Sequence, residues 1–196
     1  MAPPAPSASD MRGTVPILLL LAATACQDDG NAWRRPVIPS DDPRLFLRQD
    51  TLLLDGIPFT GTRLTRHPDG DTALLESRLD GVEHGPARRW HPDGTPMEDR
   101  RYHHGRKTGT HRGWWPNGKP RFEYHFTDGE HDGPMNEWYE DGTPLRAFHL
   151  RMGHEDGPQR LWWPDGSLRA NYTVRNGRRY GLLGLKRCSN PIDSLR

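Results

Sequence analysis

The sequence predicts an all-β protein: an elongated single antiparallel sheet of stacked 24-residue β-hairpin repeats. Three observations predict it. Glycines return every 24 residues at Gly81, Gly105, Gly129, Gly153 and Gly177, each followed four residues on by a second, Gly85, Gly109, Gly133, Gly157 and Gly181. A tryptophan stands five after the second glycine (Trp90, Trp114, Trp138, Trp162) and a turn tripeptide follows, as in Pro92-Asp93-Gly94 and Pro116-Asn117-Gly118. The runs between turns are of strand length, and no stretch beyond the N-terminal apolar segment shows sustained helical periodicity. A fixed period of this size marks an array in which each unit touches only its neighbours.

The chain opens on an export signal, residues 1–25. Arg12 precedes an apolar run from Val15 to Ala23, and Thr24-Ala25-Cys26 leads into polar residues. Met11 is a plausible start. Ala23-Thr24-Ala25-Cys26 reads as a lipobox in which Cys26 is the lipidated first residue of the mature chain; the same residues also fit ordinary cleavage after Ala25. The chain has two cysteines. Lipidation of Cys26 leaves Cys188 as a lone thiol, whereas its absence permits a Cys26–Cys188 disulfide. Residues 26–44 are polar and proline-containing and read as a tether. Residues 45–55 read as opening strands that cap the array, with Asp55-Gly56 as a turn. The repeats occupy 56–181, the first copy (Gly56, Gly61, Pro68-Asp69-Gly70) being weak and the last truncated. Residues 182–196 are the C-terminal cap and tail.

Composition fits a thin sheet better than a deep core. Only 33% of the 196 residues are hydrophobic, and 27 basic residues balance 26 acidic ones. That balance supplies no whole-chain attraction to nucleic acid or acidic lipid.

Within a repeat, proline presets φ, aspartate caps its own turn, and glycine takes the left-handed position that ends a three-residue loop with a bulge. Counting from the second glycine, +6 then faces +10 and +5 faces +11. Regular alternation puts +5 on one face with +13, +15 and +17, an aromatic set such as Trp114, Phe122, Tyr124 and Phe126. The other face carries +4, +6, +10, +12, +14 and +16. Its aromatic row at +6 (Trp115, Tyr139 and Trp163, preceded by His91 and His67) stands among charged neighbours and is the candidate partner-binding row, with Trp115, Tyr139, Trp163 and His91 as its residues.

A repeat reading G-x-x-x-G-x-x-x-x-W-[WY]-x-[DN]-G, followed by an aromatic strand, resembles the MORN repeat. It is most similar to the variant in bacterial YwqK-type proteins, a group described as antitoxins. The resemblance covers 56–181 and implies a sheet of stacked hairpins with scaffolding, protein-binding, membrane-associating or toxin-neutralising roles.

Chemistry is not expected. The turn acids Asp69, Asp93, Asp141 and Asp165 each stand nearly alone, whereas calcium needs several oxygens together. Neither Ser77 nor Ser167 sits in a nucleophile motif. Of the ten histidines, His103 and His104 are adjacent, and alternation along a strand points them to opposite faces, so no metal site is assigned. The expectation is a non-catalytic, exported envelope lipoprotein on the periplasmic side or at the cell surface. It binds a protein partner and uses no cofactor, small-molecule substrate or nucleic acid. The alternatives are an antitoxin or immunity protein and an envelope metal-handling protein using the scattered histidines and Cys188.

Overall fold

A computed structural model describes residues 35–184. The signal, Cys26, Cys188 and most of the tail lie outside the described residues.

The described chain is built of strands and turns: β1 (Val37–Pro39), β2 (Leu45–Arg48), β3 (Thr51–Leu54), β4 (Ile57–Pro58), β5 (Gly61–Arg66), β6 (Thr72–Leu79), β7 (Val82–Trp90), β8 (Pro96–His103), β9 (Arg106–Lys107), β10 (Gly109–Trp114), β11 (Pro120–Thr127), β12 (Glu130–Trp138), β13 (Pro144–Arg151), β14 (His154–Glu155), β15 (Gly157–Trp162), β16 (Leu168–Arg175) and β17 (Arg178–Leu182). From β5 onward every hydrogen-bonded neighbour is antiparallel and next in the repeat, ending at β17. The stacked-hairpin expectation holds, with two additions. Val37–Pro39, inside the expected tether, pairs parallel with β5 at the first edge. The opening strands β2 and β3 join β4 in a separate three-stranded sheet. That small sheet is tied to the array where the Leu52 amide donates to the Gly81 carbonyl at 2.9 Å. It buries Leu52, Leu53 and Phe59.

Two kinds of turn alternate. At each tripeptide the glycine amide donates to the carbonyl four-residue-turn fashion, as Gly118 to Trp115, while Trp115 donates to Lys119, both at 2.9 Å. Gly118 has φ +78°, as a left-handed residue ending this loop must. The acids work as turn caps: Asp93, Asp141 and Asp165 accept the amide two residues on at 2.8–2.9 Å. At the other end of each repeat, two successive left-handed residues make a tight reversal: Asp80-Gly81, His104-Gly105, Asp128-Gly129, Met152-Gly153 and Asn176-Gly177. This conformation favours Asn or Asp followed by Gly.

The +6/+10 and +5/+11 pairings hold, since Trp114 faces Pro120. One step further the expected faces fail. The register shifts between Gly113 and Trp114, so Gly113 faces Phe122 and Arg121 is left over. The same shift recurs in the other hairpins, at Thr65/Arg66, Arg89/Trp90, Glu137/Trp138 and Leu161/Trp162. One surplus residue on one strand exchanges the faces of all that follows. The face of +13, +15 and +17 therefore carries +2, +4 and +6, and the +5 tryptophans are out of step with it.

That shared face buries the core. Its rows run Leu74, Glu98, Phe122 and Ala170 at +13, and Arg78, Tyr102, Phe126, Leu150 and Val174 at +17, all buried. At +2, Ala87, His111 and Gln159 are buried. Gly113 has no room for a side chain, because an added Cβ would lie 2.2 Å from the Phe122 ring. The first repeats bury ion pairs on the face where later ones bury rings. Glu76 lies between Arg78 and Arg63, and Glu98 is 2.9 Å from Arg100 and 3.0 Å from Arg121.

Met152 holds φ +48° with an exposed side chain. A left-handed conformation costs an ordinary L-residue about 1–2 kcal/mol and asparagine less. Met152→Asn is expected to stabilise the protein by about 1 kcal/mol, read as a higher urea midpoint at unchanged slope.

Candidate functional site

The middle of the buried face opens into a groove of about 410 Å³. Phe122, Tyr124 and Phe126 of β11 line it beside His111, and Arg100, Lys107 and Arg121 bring positive charge. The rings touch in sequence: Phe122 stacks on Tyr124 at 4.6 Å, and Phe126 lies 4.2 Å from His131 and 4.6 Å from His111 between ring centroids. The cations lie over them, Lys107 Nζ 5.0 Å from the centre of Phe126 and the Arg121 guanidinium 5.2 Å from that of Phe122. Such pairs are attracted by the negative ring face.

Acid and hydroxyl groups complete the lining. The Tyr124 hydroxyl donates to Glu137 at 2.6 Å. Burial, and then that hydrogen bond to a carboxylate, push its pKa well above the ordinary tyrosine range. It is a neutral donor at any physiological pH. Glu137 also meets Arg146 at 3.5 Å. The His111 and His131 pKa values are both lowered, chiefly by burial and then by the charges of Arg100 and Lys107 for His111 and of Lys107 for His131. Both rings therefore favour the neutral form.

The expected binding row at +6 lies on this same face. Trp115 lines the groove, and Arg121 sits 5.7 Å from its ring. Two repeats on, Arg169 lies 4.7 Å from the Trp163 ring. The +6 residues also have a structural task that the spacing does not announce. The polar tip of each reaches the carbonyl of the +5 tryptophan in the next repeat: His67 Nε2 to Trp90 at 3.0 Å, His91 Nε2 to Trp114 at 3.3 Å, the Trp115 Nε1–H to Trp138 at 3.1 Å and the Tyr139 hydroxyl to Trp162 at 3.3 Å. Three kinds of side chain, His, Trp and Tyr, fill one position because each offers a polar atom at the rim of a ring. Trp115, Tyr139, Trp163 and His91 are half-buried, so the row is inter-repeat fastening first and groove wall second. The signal available in sequence was chemical: His, Trp and Tyr share a ring with a polar edge, which Phe lacks.

Sequence reasoning missed the cations of the groove. Arg100 comes from the preceding repeat, Lys107 lies between the two glycines of its own, and Arg121 is the surplus residue of its hairpin, so regular alternation within one repeat does not place them together.

Comparison with known proteins agrees with the architecture. Residues 107–128 match the family model described as the MORN repeat variant. That segment runs from β9 to the end of β11, so the matched copy is the one that floors the groove, and its landmarks recur at 24-residue intervals on both sides. The fold is thus one of stacked β-hairpin repeats, and the copy at 107–128 is similar to the MORN repeat variant. No curated protein matches the chain.

His111 offers a pH test. Its folded pKa lies below the ordinary histidine value of 6.5, so below that pH the unfolded chain binds a proton that the folded chain does not, and stability falls as pH falls. Gln159 holds the equivalent position and bonds the His149 carbonyl at 2.7 Å, as His111 Nε2 contacts the Arg101 carbonyl at 2.8 Å. His111→Gln is expected to keep that contact and to reduce the loss of stability between about pH 7 and about pH 5, measured by urea melts across that range.

Proposed function

We propose that this protein is a non-catalytic repeat protein whose groove binds a protein partner. The observation that carries the reading is the composition of the groove: contiguous aromatic rings, Lys107 and Arg121 held over them with Arg100 in the lining, and few aliphatic side chains. Aromatic residues and arginine are the groups most enriched at the centres of protein interfaces. Arrays also work by presenting extended surfaces of this kind. The chemistry suits a partner segment that carries an acidic group beside an apolar or aromatic one. The expected N-terminal signal supports an exported protein held at the envelope by lipid on Cys26, which makes the groove a scaffold surface close to a membrane. An immunity role, in which the same groove covers an exported toxin, is the alternative; the balance of charges and the resemblance to the YwqK-type group are compatible with both.

A variant for testing this must spare the fastening row. Lys107 is exposed and its side chain lies over Phe126, while only its main-chain carbonyl, which a substitution keeps, bonds Gly129 of the next repeat. Lys107→Glu is expected to lose a partner that wild type captures from envelope extract, with roughly a tenfold or greater drop in affinity and an unchanged urea midpoint. Equal capture by both proteins would remove the groove as the binding site. The captured partner's behaviour separates the readings: a scaffold client keeps its activity when bound, and a toxin loses it.

The anchor is tested separately. Wild-type protein expressed in a bacterial host is expected to incorporate labelled palmitate and to fractionate with membranes, and Cys26→Ser to do neither. Unlabelled wild type would sink the lipoprotein reading.

A further inference from the structure

His84, His103 and His104 come together at one end of the second repeat. Their ring centroids are 5.2 Å (His84–His103), 4.7 Å (His84–His104) and 4.5 Å (His103–His104) apart. One nitrogen from each lies within 4.8 Å of the others. The expectation that adjacent His103 and His104 point to opposite faces is corrected here. It assumed a continuing strand, but β8 ends at His103, and His104 is the first residue of the tight turn at φ +46°. A left-handed residue breaks the alternation of side chains and turns the second ring back toward the first. His84, on the adjacent strand β7, faces that turn.

The cluster is peculiar to this copy. The same three positions carry Thr60, Leu79 and Asp80 one repeat earlier and Thr108, Thr127 and Asp128 one repeat later. The structural work of the position does not require histidine. Thr60 Oγ accepts the Asp80 amide at 2.9 Å, and Asp132 accepts the Met152 amide at 3.4 Å. His84 Nδ1 stands at the matching place, 3.4 Å from the His104 amide. That is the outer limit of a hydrogen bond, and a stronger acceptor partner would replace it at small cost.

We propose that His84, His103 and His104 bind one borderline divalent transition-metal ion, Zn2+ being the ion to test. Neutral imidazoles suit Zn2+, Cu2+ and Ni2+. Three of them leave a fourth tetrahedral position for water or for a group from outside. Zinc–nitrogen bonds of about 2.0–2.1 Å in a tetrahedron require donors about 3.4 Å apart. The rings must therefore close by about an ångström. His103 and His104 are exposed and His84 is half-buried, so the ion has access and two of the rings have room to rotate. The site stands apart from the groove residues named above, and it does not depend on the partner-binding reading.

The neighbouring repeats supply variants that fit the fold: His84→Thr and His103→Thr from Thr108 and Thr127, and His104→Asn from Asn176. Full-length wild type titrated with ZnCl2 by calorimetry is expected to bind at this site. Each single variant should weaken it roughly tenfold or more, and the triple variant should abolish it, with metal-free melting temperatures unchanged. A parallel measurement covers the case in which a variant folds poorly: in wild type, Zn2+ should protect these three histidines from acylation by diethyl pyrocarbonate and leave His125 and His149 reactive. Absence of saturable binding, undiminished binding by the folded triple variant, or protection elsewhere alone would each overturn the proposal.

Discussion

Hydrogen bonds that recur at the repeat period and cross from one hairpin to the next hold this sheet in register. The main chain contributes one at four of the tight reversals: Gly81 donates to Phe59, Gly105 to Glu83, Gly129 to Lys107 and Gly153 to His131, all at 2.8–2.9 Å. The side chains at +6 contribute the second at the opposite end of each hairpin. Each repeat is thereby gripped at both ends, which a two-stranded ribbon needs because alone it is marginal in water. The left-handed glycines matter for this reason. They turn the chain and also present the amide that the preceding repeat accepts.

With the ends fixed, the shared face can vary in content. Its first repeats carry Glu76 and Glu98 among arginines, and its later ones carry aromatic rings. A buried ion pair gains little net stability, since removing both charges from water costs about what their attraction returns. Removing one partner is different, because it strands the other. The N-terminal part of the face is therefore intolerant of single changes at Glu76 or Glu98, each of which would strand two arginines, whereas the aromatic part gains from burial of area. The groove lies where the two regimes meet, with rings from one side and cations from the other.

Much of this was legible in the sequence. The hairpins, their turns and the pairings nearest each turn follow from glycine spacing and turn chemistry. The aromatic row at +13, +15 and +17 was found as well. What failed was parity. A single surplus residue such as Arg121 leaves no compositional mark, yet it places Trp115 with Phe122 and sets Trp114 out of step. The histidine cluster was hidden for a related reason: alternation was carried one residue past the end of β8, to a position whose backbone is left-handed. The strand at Val37–Pro39 was read as tether because its stretch is polar and carries three prolines, and its parallel pairing to β5 is a contact no local pattern announces. The first two failures arise where the chain departs from a regular strand, at the surplus Arg121 and at the left-handed His104.

The same grip recurs at four successive junctions, and this bears on how such a gene can change. A unit of 24 residues can be lost or copied in frame, and the flanking hairpins still meet the donors and acceptors they require. Unequal recombination between units therefore yields folded products of different length. Insertion of one residue inside a unit turns a whole face over and does not. The architecture thus constrains the length of each unit more strictly than the number of units.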